Sequence, residues 1–207
     1  VSVVDLSSYE SIMHIGDIQG CATVLRDNIR NDPNIYYIFM GDLLDRGIEN
    51  GAVIHYMLEH FVGKPNVTII MGNHDTHIER FLRARPKAIM PSEFRYYTIP
   101  DLKRAQVSNS MLATTIEQAV DYFHYHYRGT NVICNHAGIP FIPTHPERIN
   151  SEQLRRGIDS YNHPIDSAFT RASIAHEEQT GTRLYQVHGH RNHDHTDADR
   201  SEARRVG

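Results

Sequence analysis

Five short strings hold most of the residues in this chain that can do chemistry. They are GDIQG at residues 16–20, GDLLDRG at 41–47, GNHD at 72–75, NHAG at 135–138 and HGH at 188–190. Each sets a carboxylate, amide or imidazole beside a glycine, and several directly follow an apolar run. A parallel-sheet enzyme presents metal ligands in this way, at the carboxyl ends of its strands. The adjoining glycines permit tight turns and close backbone approach. The chemistry that fits is a pair of divalent cations about 3.5–4 Å apart, which can clamp a phosphoryl group, acidify a bound water and neutralise the attacking and leaving oxygens. Such a pair needs one bridging carboxylate. Asp42, at the end of the central strand, is the natural bridge, with Asp17 on the neighbouring turn for the first cation. Asn73, His136 and His190 offer an amide oxygen and two imidazoles for the second.

The elements that must position these groups read as strand–turn–helix units. Ser11–Ile15 is a short strand into the first string, and Cys21–Arg30 follows with Val24, Leu25 and Ile29 at helical spacing. Ile35–Met40 is a buried strand ending at Gly41-Asp42, and Asn50–Phe61 is an amphipathic helix through Val53, Ile54, Met57, Leu58 and Phe61. Val67–Met71 ends at Gly72-Asn73, and His77–Arg85 continues as a helix stopped near Pro86. Three such units in succession imply a parallel sheet covered on both faces, with right-handed crossovers. The proline-rich stretch 85–101 breaks the pattern and reads as an inserted loop bordering the site. Leu112–Tyr127 reads as a helix with an aromatic face at Tyr122, Phe123, Tyr125 and Tyr127 beside His124 and His126, whose role is core packing. Asn131–Asn135 is a fourth strand delivering His136, an irregular segment spans 138–165, a helix covers 166–179, and Arg183–Val187 is the strand before His188. His14 reads as a packing residue, and His77, just past GNHD, supports the site from behind.

Composition bounds the class. At 207 residues the chain is long enough for one domain with a substantial core, so 1–207 reads as a single unit, motif-bearing over about 11–190 and ending in a polar tail over 191–207. A hydrophobic content of 40% and a net charge of −4 describe an ordinary soluble protein and argue against a general nucleic-acid binder. No apolar run approaches the roughly 18 residues of a membrane span, and the opening VSVVDLSSYESIM lacks a signal-peptide pattern. No membrane partner and a cytoplasmic location are therefore expected. Cys21 and Cys134, with no CxxC spacing, read as reduced thiols. The start at Val1 and the stop soon after His190 read as a trimmed or partial sequence.

The ordered set GDxxG, GDxxDRG, GNHD, HAG and GH, covering residues 11–190, resembles the calcineurin-like metallophosphoesterases, specifically their phosphoprotein phosphatase branch. A lone GDxxG is weak, but five strings in the right order are specific. The resemblance implies an α/β fold of the four-layer metallophosphoesterase type, two mixed β-sheets flanked by helices, here cut short at its C-terminal end. Carried over position by position, it implies that Asp17, the Gln19 position and Asp42 hold the first cation, and Asp42, Asn73, His136 and His190 the second. His74 is then the general acid that protonates the leaving oxygen, with Asp45 orienting its imidazole. Arg46 binds the substrate phosphate, its fork matching two phosphoryl oxygens, alongside Asn73. A second phosphate-binding arginine is expected between His136 and His190, with Arg171 preferred to Arg155. The nucleophile so implied is a metal-bound hydroxide acting in line.

Two departures from the family pattern sharpen these expectations. Gln19 stands where the family usually has histidine, and a neutral amide oxygen is a poorer ligand for zinc or iron. Mn²⁺ is therefore the expected metal, with Mg²⁺, Fe and Zn²⁺ as alternatives. The strings GDIQGC, GNHDTHI and SAFTR (167–171) also resemble the symmetrical diadenosine tetraphosphatases, whereas the retained Asp45 is typical of phosphoprotein phosphatases. The second departure is the end, HRNHDHTDADRSEARRVG, which contains no apolar strand; His193, Asp194, His195, Asp197 and Asp199 read as a solvated tail, not a third metal site. Hydrolysis of a phosphomonoester, serine/threonine protein phosphatase-like, leads. A symmetrical bis(5′-nucleosyl)-tetraphosphatase is the nearest rival and a polynucleotide end-phosphatase the third. A non-catalytic metal- or phosphate-binding module is the reading from a different class. The expected partner is a phosphorylated substrate, either phosphoprotein or nucleotide.

Overall fold

Two sheets carry the architecture of residues 2–83, 90–158 and 164–191, the parts of the chain that the computed structural model of the protein describes. In the first, β2 (Ser11–Ile15), β3 (Ile35–Phe39) and β4 (Val67–Ile69) lie side by side in that order, all parallel. In the second, the order is β1 (Val4–Asp5), β5 (Phe123–Tyr127), β6 (Thr130–Cys134) and β7 (Leu184–Val187), with β5 and β6 antiparallel and the other pairs parallel. The three strand–helix units read from the sequence are present, through α1 (Ala22–Asn28), α2 (Asn50–His60) and α3 (Asp75–Leu82). Helix α3 begins at Asp75, two residues before the expected start.

Strand alternation sorts the side chains into layers, because successive residues of a strand face opposite ways. On β3, Tyr37 and Phe39 pack with Val53, Ile54, Met57 and Phe61 of the helical layer. Tyr36, Ile38 and Met40 face the other way and meet Tyr125, Val132 and Cys134 of the second sheet. On β6, Ile133 points outward to Leu154 of α6 (Ser151–Arg156) and Phe169 of α7 (Ile165–Thr180). The sequence of layers is helices, sheet, sheet, helices.

Two expectations from the sequence are corrected. The helix expected over 112–127 is α5 (Asn109–Glu117), and residues 123–127 form strand β5 instead. F-H-Y-H-Y alternates with period two in aromatic, strand-favouring residues, and Phe123, Tyr125 and Tyr127 all pack between the sheets. Core packing of these aromatics is what the structure shows, on a strand and not on a helix. From residue 92 the inserted stretch is helical and not a loop. A π-helical turn at Phe94–Thr98 runs into α4 (Ile99–Arg104), anchored by buried Phe94 and Leu102, with Pro100 in the first turn where its missing N–H is tolerated. Residues 84–89, 159–163 and 192–207, including the helix stop at Pro86 and the histidine- and aspartate-rich tail, lie outside the described residues. Cys21 and Cys134 are both unpaired, and no described helix is long and apolar enough to cross a membrane.

His14 joins the two sheets, its Nε2 3.1 Å from the Tyr125 hydroxyl. Burial lowers its pKa to about 4, so the fold holds the neutral imidazole. The stability this contributes is complete above the unfolded value of about 6.5 and is lost as the pH falls towards 4. Between pH 7 and 5.5 the loss is on the order of 1 kcal/mol. Replacing His14 with phenylalanine should flatten the fall in melting temperature over that range, as read by thermal denaturation; a parallel fall in both proteins contradicts the assignment.

Candidate active site

The five strings meet because β2, β3, β4, β6 and β7 all end on one side of the two sheets, each handing its string to a turn. These turns are strained: Gln19, Asp42, Asp45, Arg46 and His190 have φ values of 49°, 53°, 74°, 64° and 65°. Non-glycine residues in that region cost of order 1–3 kcal/mol each and persist only where the surroundings over-determine them. Two glycines make the approach possible. Gly41 has φ of 98°, and a Cβ on Gly72 would lie 2.2 Å from Asp42 Oδ1 and 2.4 Å from Asp42 N.

Asp75 fastens these turns together. Its fully buried carboxylate accepts hydrogen bonds from the backbone amides of Asp42 (2.9 Å), Leu43 (3.0 Å) and Gly72 (2.9 Å). Burial first, and then the charge of Asp42, push its pKa up to about 6 against the opposing pull of those amides. Asp75 stands within GNHD, where its spacing in the sequence points to no role. An Asp at the head of a helix, one turn after a strand, was the available signal.

Around the Asp42 carboxylate stand the expected ligand atoms. Asp42 Oδ1 accepts from the His74 backbone amide at 2.8 Å, leaving Oδ2 3.4 Å from His136 Nε2. His136 Nδ1 is 2.6 Å from the Met40 carbonyl, which can only accept, so the proton of the neutral ring sits on Nδ1. Its Nε2 lone pair then faces Asp42 Oδ2 and, at 3.1 Å, Asn73 Oδ1. Three electron-rich atoms turned towards one another make a place that a proton on Nε2 or a cation can satisfy. His190 completes the group, its ligand atom lying within 4.8 Å of those of Asp42 and His136 and its ring 5.0 Å from that of His136. Burial and the neighbouring His136 hold His190 down at about 4, in the neutral, ligating form. Burial opposes protonation of His136 as well, but the Asp42 hydrogen bond and charge outweigh it and raise its pKa. Asp17 accepts the His190 backbone amide at 3.2 Å and is raised mainly by burial. This donor set of carboxylates, amide oxygen and neutral imidazoles fits hard or borderline divalent cations. Gln19 is tied in through its backbone, its N–H bonded to Asp42 O at 2.9 Å and its carbonyl to Gly47 N at 2.8 Å.

Beside this group lies the expected Asp–His pair. His74 Nδ1 is 2.7 Å from Asp45 Oδ2, so Nδ1 carries the proton and Nε2 is left for other partners. Burial lowers the affinity of His74 for a second proton, but the Asp45 and Asp42 contributions outweigh it and its pKa is raised. His77 does stand behind the site, its Nδ1 2.9 Å from the same Asp45 oxygen. Thr98, in the stretch read as a loop, donates to the other Asp45 oxygen at 2.5 Å. Arg46 is largely exposed, with its backbone amide bonded to Glu93 Oε1 at 2.9 Å. Arg171 lies exposed on α7. Arg155 is held by Asp121 at 2.5 Å and Glu79 at 3.2 Å, a structural ion-pair network. His188 Nε2 is 2.8 Å from Asp166 of α7, which ties the last string to that helix.

The calcineurin-like phosphoesterase family model matches residues 10–205. A symmetrical bis(5′-nucleosyl)-tetraphosphatase of Thioalkalivibrio sulfidiphilus (strain HL-EbGR7) is 35% identical over 72 residues, which is 33% of this chain and 26% of that protein. The matching segment thus spans about a quarter of that relative. Among solved structures, a candidate diadenosine tetraphosphatase superimposes with a TM-score of 0.49 at 20% identity, over 73% of this chain and 61% of that one. A protein serine/threonine phosphatase from Saccharomyces cerevisiae gives 0.42 at 14% identity, over 69% of this chain and 44% of that one.

Asp75→Asn offers three buried amides one oxygen in place of two and turns an NH₂ group towards a backbone N–H. The expected cost is about 3 kcal/mol, since a buried donor is left unmet. Denaturant titration should show that loss, and calorimetry should show weakened Mn²⁺ binding although Asp75 is not among the ligand atoms. Unchanged values for both would refute the fastening role.

Proposed function

The chain belongs to the calcineurin-like phosphoesterase family, and on that premise we propose that it is a binuclear-metal-dependent hydrolase of phosphoric esters, with 1–207 as one catalytic domain. The observation that carries the reading is the convergence of Asp42, Asn73, His136 and His190 beside an imidazole held by its own aspartate. Asp17, Gln19 and Asp42 would hold one cation, and Asp42, Asn73, His136 and His190 the other. When bound, the two cations supply Lewis-acid stabilisation of the phosphoryl oxygens and an acidified water.

The residues of the chain do the rest. Asp42 would supply negative charge to both cations. Arg46 and Asn73 bind phosphoryl oxygens, the exposed guanidinium of Arg46 being paired only at 3.9 Å with Glu93. Asp45 holds His74 with its proton on Nδ1, so that Nε2, once protonated, gives its proton to the leaving oxygen. Arg171, on the exposed face of α7, is the proposed further phosphate contact, with Arg155 committed to Asp121 and Glu79.

For the substrate, a dinucleoside tetraphosphate now leads. It is supported by the tetraphosphatase relative and by GDIQGC, GNHDTHI and SAFTR. The Asp45–His74 pair with Arg46 favours a phosphomonoester, as in a serine/threonine protein phosphatase, and keeps that as the second reading. A cytoplasmic setting is consistent with two unpaired thiols.

A panel of diadenosine tetraphosphate, a phosphopeptide, 3′-phosphorylated RNA and para-nitrophenyl phosphate, assayed with Mn²⁺, decides among these readings. Diadenosine tetraphosphate should be turned over fastest, with ADP as the nucleotide product. A faster phosphopeptide reverses the order, and no turnover with any divalent metal supports a binding module. Asp42→Asn should lose on the order of 10³-fold or more in kcat, the scale of a lost electrostatic catalyst. Metal titration should show Mn²⁺ supporting more activity than Zn²⁺, with Gln19→His tightening Zn²⁺; unaltered Zn²⁺ affinity would remove Gln19 from the ligand set.

A further inference from the structure

Asp45 is the meeting point of more groups than an Asp–His pair requires. Its carboxylate is buried, with 1% exposure, and both oxygens are engaged. Oδ2 accepts from His74 Nδ1 at 2.7 Å and from His77 Nδ1 at 2.9 Å, while Oδ1 accepts from Thr98 Oγ1 at 2.5 Å. The three donors come from the residue before α3, from within α3 and from the π-helical turn. His77 is packed edge-on against His74, with ring centroids 5.3 Å apart, and against Phe94 at 5.5 Å. Thr98 is buried in the same region, at 1% exposure.

The plane of an aspartate carboxylate is only loosely set by its own torsion, which is broad and two-fold. Nothing intrinsic to Asp45 fixes the direction in which Oδ2 faces His74. Thr98 pulls on one oxygen while His77 fills the second lone-pair direction of the other, so a single carboxylate plane satisfies all three donors. Asp45, His74 and His77 also stand close enough to be metal ligands, but both imidazole Nδ1 atoms converge on the one oxygen Oδ2, at 2.7 and 2.9 Å, which is how two N–H donors meet a carboxylate.

We propose that His77 and Thr98 are positioning residues of the hydrolytic reaction, which act through Asp45 to fix its carboxylate plane and so aim His74 Nε2 at the leaving oxygen. The inference rests on the reading of His74 as the general acid. It also gives the inserted helix a place in catalysis. Glu93 accepts the Arg46 amide, Thr98 reaches Asp45 and Asp101 accepts the Gly51 amide at 3.0 Å, so this helix braces the loop that carries both Asp45 and Arg46.

A general acid matters most when the leaving group is poor, so the test compares phenyl phosphate, a poor leaving group, with para-nitrophenyl phosphate, a good one. In the Mn²⁺-loaded protein, Thr98→Val and His77→Leu should each lose roughly 10-fold more kcat on phenyl phosphate than on para-nitrophenyl phosphate, with KM and bound Mn²⁺ near wild type. Thr98→Ser and His77→Asn, which restore a donor at the same place, should recover most of the loss. In protein labelled with ¹⁵N-histidine, Thr98→Val should shift the Nδ1–H resonances of both His74 and His77. Equal losses on the two substrates, loss of metal, or unmoved resonances overturn the proposal. His74→Asn is the control that separates the two ideas. If it shows no steeper loss on phenyl phosphate, His74 is not the acid; if it does while the Thr98 and His77 variants do not, only the positioning role fails.

Discussion

The site depends on one buried carboxylate satisfying three backbone amides that belong to two different turns. Asp75 takes N–H groups from Asp42, Leu43 and Gly72, and so locks the loop after β3 to the loop after β4. Neither loop has a regular hydrogen-bond ladder at this point, and each buried amide left unpaired would cost about 1–3 kcal/mol. The arrangement also sets two carboxylates, Asp42 and Asp75, close enough that their charges act against each other. The backbone amides turned onto Asp75 offset part of that repulsion.

From this fastening the rest follows in order. Fixing Asp42 with φ of 53° presents its carboxylate to His136, whose ring is turned by the Met40 carbonyl, and to the backbone of His74. Fixing the same loop a few residues later sets Asp45 and Arg46, again with positive φ. The helix over 92–104 then braces that second half from the opposite side, through Glu93, Thr98 and Asp101. Asp42, of the proposed metal-binding group, and Asp45, the partner of the proposed acid His74, thus stand at two ends of one strained loop, held by Asp75 of α3 at one end and by the inserted helix at the other.

Much of this was legible in the sequence because it is local. Apolar runs of strand length that end in Gly-Asp or Gly-Asn announce both a strand and the end of that strand where chemistry is placed, and the parallel β2, β3 and β4 appeared as read. Where the reading failed, two periodicities competed. Phe123–Tyr127 alternates cleanly, but it follows a helical stretch with only a short break, and the helix was extended through it. In the insert, the prolines mask a segment that is helical from residue 92 and anchored by buried Phe94 and Leu102.

The sequence by itself determined which residue types stand at the carboxyl end of each strand, and with them the candidate ligands, because each string is fixed by its own strand and turn; the pairing of Asp45 with His74 was an implication of the family resemblance. Tertiary structure alone decided that Asp75 is a fastener, that Arg155 is held by acids, and that His77 and Thr98 share Asp45. Hydrogen bonds of that kind join groups 3 to 76 residues apart in the chain, with no spacing rule to reveal them. They form only when two sheets and an inserted helix have packed, and the orientation of a buried carboxylate is settled by whichever donors that packing brings to it.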